Sequence, residues 1–468
     1  MKTRFVSVDR DQPLLLPPDL RDWIPQDDLV HFVIEAVEGM NLRSLKVNVK
    51  GSGSAQYPPH MMLSLLIYCY ASGIFSSRRI ERATHRDIAV RYLTADTHPD
   101  HDTICTFRRE NFDAVAACFV HVLELARELK LLTVGTVSVD GTTLKANANK
   151  NRGIRYDRAG ELIEELDMEV RELLEQAERT DRNEHTDGQS LPEELAQREK
   201  LKAKLEAARA RIEERAKAKA QKEQAEYERK VKAREQRKGR AKGCEIKKPD
   251  PAPKPTDQDN LTDTDSRLMR HNKRSAYEQA YNAQACVDAD GSYLVLSTHV
   301  TQCASDRNEL VPAIEAIPKH IGQPETVLAD NGYLNEDAVR ILEGRDDEAD
   351  GDDPPKMNVL ISAHAEAKQL RRKHDFRPCP TDPKKAPQIR SAFVLEMKEK
   401  MERSESRAKY RLRKQTVEPV FGTIKKWMGF TQFLLRGHDN VSGEWQLVTL
   451  AYNMKRLWRM QSAQNQGI

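Results

Sequence analysis

No apolar run in the chain approaches the length of a bilayer span, and its N-terminus lacks the charged, apolar and small-residue series of a signal peptide. No membrane association is therefore expected, and the chain reads as cytoplasmic. Cysteine is sparse and badly spaced for chemistry: Cys69, Cys105, Cys118, Cys244, Cys286, Cys303 and Cys379 never form a C-x-x-C pair. That excludes a zinc knuckle or a disulfide framework and leaves reduced, mostly buried thiols. Net charge is nearly absent too, at +3, but it is unevenly spread. From Lys368 to Lys426 there are 18 Lys and Arg against 7 Asp and Glu, an excess of 11 that leaves the remainder near −8. Such a segment suits a polyanionic partner or a solvated helical face. What the chain does have is length, 468 residues, enough for two or three domains with buried cores.

Residues 1–130 read as helical. Leu29 to Met40 has helical apolar spacing behind the capping acids Asp27 and Asp28, and Met61 to Tyr70 reads as a buried helix behind Pro58 and Pro59. Further helices are expected from Ser76 and across Ile88 to Leu93. A polar loop then leads into Asp102 to Phe112, a candidate for the second helix of a helix-turn-helix, where Arg108 and Arg109 would reach DNA. An ordinary amphipathic helix with a charged outer face accounts for the same pattern. His98 and His101 in that loop lack a third ligand nearby and read as solvated.

The next stretch, T-V-S-V-D-G-T-T-L-K-A from Thr136, alternates with period two and reads as a strand ending in Asp140. Alone, an Asp before Gly starts a turn as readily as it serves a site. From Arg158 to Lys242 the chain is rich in Glu, Lys, Arg and Ala. Leu201, Leu205, Ala208 and Ile212 follow the 4-3-4 spacing of a coiled-coil seam, which predicts two antiparallel helices inserted as an arm. The Pro-rich stretch from Lys247 to Asp259 reads as a linker. Strands resume at Tyr281 to Val287 and Tyr293 to Val300, joined by the turn D-A-D-G; Asp306 is expected near the cap of a helix over Leu310 to Ile317. A further strand, Pro324 to Tyr333, again carries an acid at its end, Asp330, and a short strand follows at Asn358 to Ser362. Val417, Val420, Phe421 and Ile424 make one buried helical face with Pro419 near the helix start, so Glu418 lies on a helix otherwise lined with basic residues. An amphipathic helix from Glu444 to Trp458 should close the core.

With the arm removed, the order is strand with Asp140, hairpin, helix, strand with Asp330, helix, strand, and helix with Glu418. This arrangement resembles the ribonuclease H-like fold of DDE transposases from bacterial insertion sequences, and most closely the IS-four superfamily branch with its Y-R-E-K signature. The resemblance spans nearly the whole chain through D-H-D-T-I-C-T-F-R-R, V-D-G-T, A-D-N-G-Y, V-E-P-V-F-G-T-I-K and A-Y-N-M-K-R-L. It implies an α/β fold: a mixed-sheet core flanked by helices, a helical N-terminal domain and an inserted helical coiled-coil arm. The corresponding divisions are a DNA-binding domain over 1–130, core over 131–154, arm over 155–246, linker over 247–270, and the remaining core with C-terminal helices over 271–468.

Carried across by residue, Asp140, Asp330 and Glu418 match the three catalytic, metal-binding acids. Glu418 keeps the family's six-residue interval to Lys425. The signature's Arg, however, falls on Lys414, with Arg413 one residue earlier and Tyr410 displaced likewise. The first interval between acids spans 190 positions and the second 88, which puts the arm after the first strand. The resemblance further implies two Mg²⁺ ions about 3.5 to 4 Å apart, with Mn²⁺ able to substitute, cleaving at element ends and joining 3′-hydroxyls to target DNA. Arg413, Lys414, Lys425, Tyr410 and Lys145 would contact DNA, and the N-terminal domain would bind terminal inverted repeats. A homodimer in the synaptic complex and a location at the bacterial nucleoid follow from the same resemblance. A ribonuclease H-like nuclease without strand transfer, and an inactive DNA-binding derivative, are the alternatives.

Overall fold

The computed structural model describes residues 19–40, 45–46, 56–182, 191–235, 247–270, 275–345, 356–363 and 391–465. The most basic stretch, 368–390, and Cys244 and Cys379 lie outside the described residues. Helix α2 (Pro59–Ala71) is buried from Met62 through Ala71, so it is enclosed on every side. That is where a helix apolar all round must go. Around it lie α1 (Leu29–Glu38), α3 (Ser77–Arg86), α4 (Ile88–Leu93), α5 (His101–Glu110) and α6 (Phe112–Glu128). Asp28 caps α1 by accepting from the Val30 N–H at 2.8 Å, and Asp100 caps α5 through the N–H groups of Asp102 and Thr103.

A six-stranded mixed sheet is centred on β1 (Thr136–Lys145). On one side β1 pairs antiparallel with β5 (Glu278–Asp288); on the other it pairs parallel with β7 (Thr326–Ala329), which in turn pairs parallel with β8 (Asn358–Ile361). The far edge of β5 is shared by β4 (Arg267–Met269) and β6 (Val295–Thr301), both antiparallel. Strand β1 does not end at Asp140: the β-branched Thr pair after Gly141 carries the pairing with β5 on to Lys145. Its pairing with β7 stops at Ser138, so Asp140 sits where the sheet parts on one side only.

The insertion leaves and returns on a two-stranded ribbon, β2 (Gly153–Arg155) with β3 (Gln258–Asn260). Between them run α7 (Tyr156–Arg182) and α8 (Leu191–Glu235), packed on each other through Leu166, Leu205 and Ala208. Leu201, expected in the same seam, is exposed. The stretch expected as a linker thus holds two strands, β3 and β4. It also holds Asp259, whose fully buried carboxylate receives Arg211 at 2.7 Å and Arg215 at 2.9 Å from α8. Removing a buried pair's partner typically costs about 3–5 kcal/mol, so this contact fixes α8 against the ribbon.

After the sheet come α9 (Leu310–Glu315), α10 (Glu336–Glu343), α11 (Ala392–Glu402), α12 (Ser404–Gly422) and α13 (His438–Asn465). Pro419 lies inside α12 and not at a helix start. A wider turn follows at Thr423–Trp427, closed by the Met428 N–H donating to the Thr423 carbonyl at 2.9 Å. Helix α13 closes the core as expected and runs through it: Trp445, Leu447, Val448, Leu450, Ala451 and Met454 are all fully buried. Asn453 gives β6 a strand-like partner, accepting from the Val295 N–H and donating to its carbonyl, both at 2.8 Å. A Cβ on Gly443 would stand 2.3 Å from the Phe112 ring, so only glycine lets α13 come this close to α6. One apolar core runs through the N-terminal helices, the sheet and α13. No described helix is long and apolar enough to cross a membrane.

Candidate active site

Two carboxylates emerge at the ends of neighbouring parallel pairings. Asp140 projects from β1 two residues beyond its last pair with β7, and Asp330 directly follows β7. Each spends one oxygen on a local backbone N–H: Asp140 Oδ1 accepts from Gly141 at 2.8 Å and Asp330 Oδ1 from Gly332 at 2.7 Å. Burial, then the charge of Asp330, pushes the Asp140 carboxyl up to about 7, with Arg413 opposing and Asp306 adding to the rise.

Helix α12 supplies the third acid and a cation. The Arg413 guanidinium is buried, 3.5 Å from Asp140 Oδ2 and 4.0 Å from Glu418 Oε1, so it lies between the two acids. Glu418 itself is more than half exposed. Tyr410 donates to the Ala329 carbonyl at 3.2 Å, holding α12 against the end of β7, and its ring lies 6.0 Å from the Arg413 guanidinium carbon. Lys414 is exposed. Of the two neighbouring cations, Arg413 faces the acids.

Asp306 belongs to the same cluster. Its Oδ1 accepts from the Asn282 and Gln284 side-chain amides, each at 2.7 Å. Gln284 is oriented in turn by the buried Tyr333 hydroxyl, which donates to its Oε1. A Cβ on Gly141 would lie 2.3 Å from Gln284 Nε2 and 2.8 Å from Asp306 Oδ1. Glycine is required there to admit this network, and not to turn the chain away. Asp306, expected near the cap of α9, does not cap it: the N-cap is Glu309, and the Asp306 carbonyl closes the preceding turn by accepting from the Glu309 N–H at 3.0 Å.

The remaining candidates disperse. Lys425 donates to the Thr143 carbonyl at 3.2 Å, and burial lowers its pKa. It shares with Lys145 a cavity of about 360 Å³ further along β1, where Lys145 pairs with Glu278 at 2.9 Å. Arg109 is exposed on α5. Arg108, expected to face DNA, is instead only 3% exposed. It donates to the Tyr70 hydroxyl at 2.8 Å and the Phe75 carbonyl at 3.1 Å, and Tyr70 reaches Glu444 at 3.4 Å. A guanidinium so enclosed has no surface to offer a phosphate. His101 pairs with Glu81 and His98 with Thr84.

Residues 18–110 match the family model described as Transposase domain (DUF772), and residues 256–454 match that described as Transposase DDE domain. The chain belongs to the DDE transposases. It is therefore an enzyme that acts on DNA. No curated protein and no solved structure matches it. The transposase DDE match contains Asp330 and Glu418 but begins beyond Asp140 and the α7–α8 insertion. The sheet brings Asp140 back beside Asp330.

DDE transposases use divalent metal ions. Among the described residues, no three His, Cys, Asp or Glu side chains stand close enough together to enclose an ion by themselves. The donor set nonetheless fits a hard cation. It offers carboxylate oxygens, and burial together with the neighbouring Asp330 pushes Asp140 towards neutrality, a rise that a bound cation would oppose. Magnesium in particular uses one or two carboxylates and completes its shell with water and phosphate.

Proposed function

We propose that the chain cleaves DNA at element ends and joins the freed 3′-hydroxyls to target DNA, with Asp140, Asp330 and Glu418 as its catalytic acids. The observation that carries this is the juxtaposition of Asp140 and Asp330 at adjacent strand ends, with Glu418 one guanidinium away. The sheet order β6-β5-β1-β7-β8, with three antiparallel strands followed by two parallel ones, supports a ribonuclease H-like core. The helical pair α7–α8 supports the reading as an inserted coiled-coil arm, and the Tyr410, Arg413, Glu418 and Lys425 set supports the Y-R-E-K branch.

Asp140, Asp330 and Glu418 would hold two Mg²⁺ ions, with Mn²⁺ substituting. Such ions supply Lewis acidity and a nucleophile at neutral pH. The protein's own groups orient the strand. Arg413 is placed to receive the phosphate that replaces its contacts with Asp140 and Glu418, and Lys425 and Lys145 present ammonium groups along β1. Hydrolysis breaks one P–O bond and frees a 3′-hydroxyl. That hydroxyl then attacks a target phosphodiester, so one P–O bond forms for each one broken. Arg109 would contact terminal inverted repeats, and joining two ends calls for a homodimer in the synaptic complex.

The test is a supercoiled plasmid carrying the DNA that flanks the coding region on both sides, incubated with protein and Mg²⁺. Joined products are expected. Cleavage without joining would reduce the protein to a nuclease, and neither product would make it a DNA-binding derivative.

Asp306 allows a sharper check of the acid cluster. In D306N the side-chain oxygen keeps both amide bonds while the charge is lost, so the fold should persist. Mn²⁺ affinity, read by electron paramagnetic resonance, is expected to fall by about tenfold, the lower end for groups that support a metal site. Unchanged affinity would remove Asp306 from the site.

A further inference from the structure

A cavity of about 980 Å³ opens between α8 and the segment returning from it, away from the acids. Its wall carries Arg215 and Lys219 from α8, Lys247, Lys248 and Lys254 from the returning segment, and Arg267 from β4. Three acids share it, each engaged locally. Glu223 faces Lys219 at 3.8 Å, Asp250 accepts from the Ala252 N–H at 2.9 Å, and Asp257 accepts from the Lys254 N–H at 2.9 Å. The three lysines of the returning segment are exposed. On the floor, Arg215 is fastened by Asp259, and Arg267 donates to the Thr264 and Ser266 carbonyls and to Gln302. Burial, then the nearby Arg215, lowers the Arg267 pKa, while Asp259 and Asp265 act to raise it.

We propose that this groove is a second DNA-binding surface, whose lysines grip duplex phosphates outside the acid site; this rests on the reading of the chain as a transposase. Three features favour it over a solvated spacer. The cations converge from two facing walls, whereas a spacer would scatter them outward. The buried Arg211–Asp259–Arg215 cluster fixes one wall to the ribbon at the root of the other, so the cations are held in place before DNA arrives. Among the described residues Tyr227 is the one aromatic in the lining, so the chemistry offered is phosphate contact and not base stacking. The inserted helices thereby gain a role, widening the track along which DNA is held.

The test compares wild type with K247A/K248A/K254A, binding a labelled duplex by fluorescence anisotropy over a range of KCl. Each phosphate contact contributes about 0.9 to the slope of log affinity against log salt, so the slope should fall by about 2 to 3. Affinity near 0.15 M salt should drop by about tenfold or more. A control, K319A/K356A, removes two exposed lysines outside the groove and should keep the wild-type slope. An unchanged slope in the triple variant, or an equal fall per charge in the control, overturns the groove. Failure of wild type itself to bind duplex even at about 50 mM salt would instead overturn the DNA reading on which the inference rests.

Discussion

Replacing Asp140 by Asn is expected to slow divalent-metal-dependent nicking of supercoiled DNA by about 1,000-fold or more, which corresponds to about 4 kcal/mol of transition-state stabilisation. The carboxamide keeps the size of the side chain and an oxygen for the Gly141 N–H, but not the negative charge that a hard cation requires. The same substitution should stabilise the protein in the absence of metal. In the unfolded chain the Asp140 carboxyl titrates near 3.8; in the fold, burial and Asp330 push it up to about 7. Below the unfolded value it is protonated in both states and costs nothing. As pH rises from there, the unfolded chain releases a proton that the folded chain keeps, so stability falls, and the full cost is reached above about 7. The thermal midpoint of D140N should therefore match wild type near the acid end, gain on it through this window, and hold its lead above. Added Mg²⁺ should raise the wild-type midpoint and leave D140N unmoved. Parallel curves in chelator across the window would show that Asp140 carries no such cost.

Strand alternation and helical spacing made two strands with Asp140 and Asp330 near their ends, and a helix with Glu418, legible in the sequence; that these elements meet was implied only by the family resemblance. The course of β1 past Asp140 was less legible. Gly141 reads as a turn residue, yet here its missing side chain makes room for Gln284 and Asp306. Asp306 was illegible as a site residue because S-D-R-N-E before a helix has the look of a cap. Only the folding of β5 beside β1 brings the amides of Asn282 and Gln284 to its carboxylate. The inserted helices were legible from their spacing, but their attachment was not: Asp259 sits in a Pro-rich polar stretch, and nothing local foretells that two arginines on α8 bury it. Pro419 misled for a related reason. Proline favours a first turn, but Pro419 is exposed inside α12, where its buried neighbours Val417 and Val420 hold the helix to the core on either side of it.

Arg108 is the sharpest case, and it yields a second large effect. R108M is expected to cost about 3–5 kcal/mol of stability near neutral pH, because it leaves the Glu444 carboxylate buried without its cation. Glu444 accepts from the Leu434 and Leu435 N–H groups at 2.9 and 3.0 Å and from Tyr70, and burial already raises its pKa while Arg108 acts to lower it. Without Arg108 that carboxyl must rise further. A raised acid costs stability increasingly as pH climbs from its unfolded value towards its folded one, so the penalty should be larger at about pH 8 than at about pH 5. Urea unfolding at the two pH values checks this; a penalty independent of pH, or below about 1 kcal/mol, would mean that Arg108 and Glu444 are not coupled. Exposed Arg109, one residue on, should behave in the opposite way. R109A should leave stability within about 0.5 kcal/mol, as surface changes do, and act on DNA affinity alone. The two neighbours are separated not by their own chemistry but by Glu444, a partner far along the chain that only the packing of α13 against the N-terminal helices brings within reach.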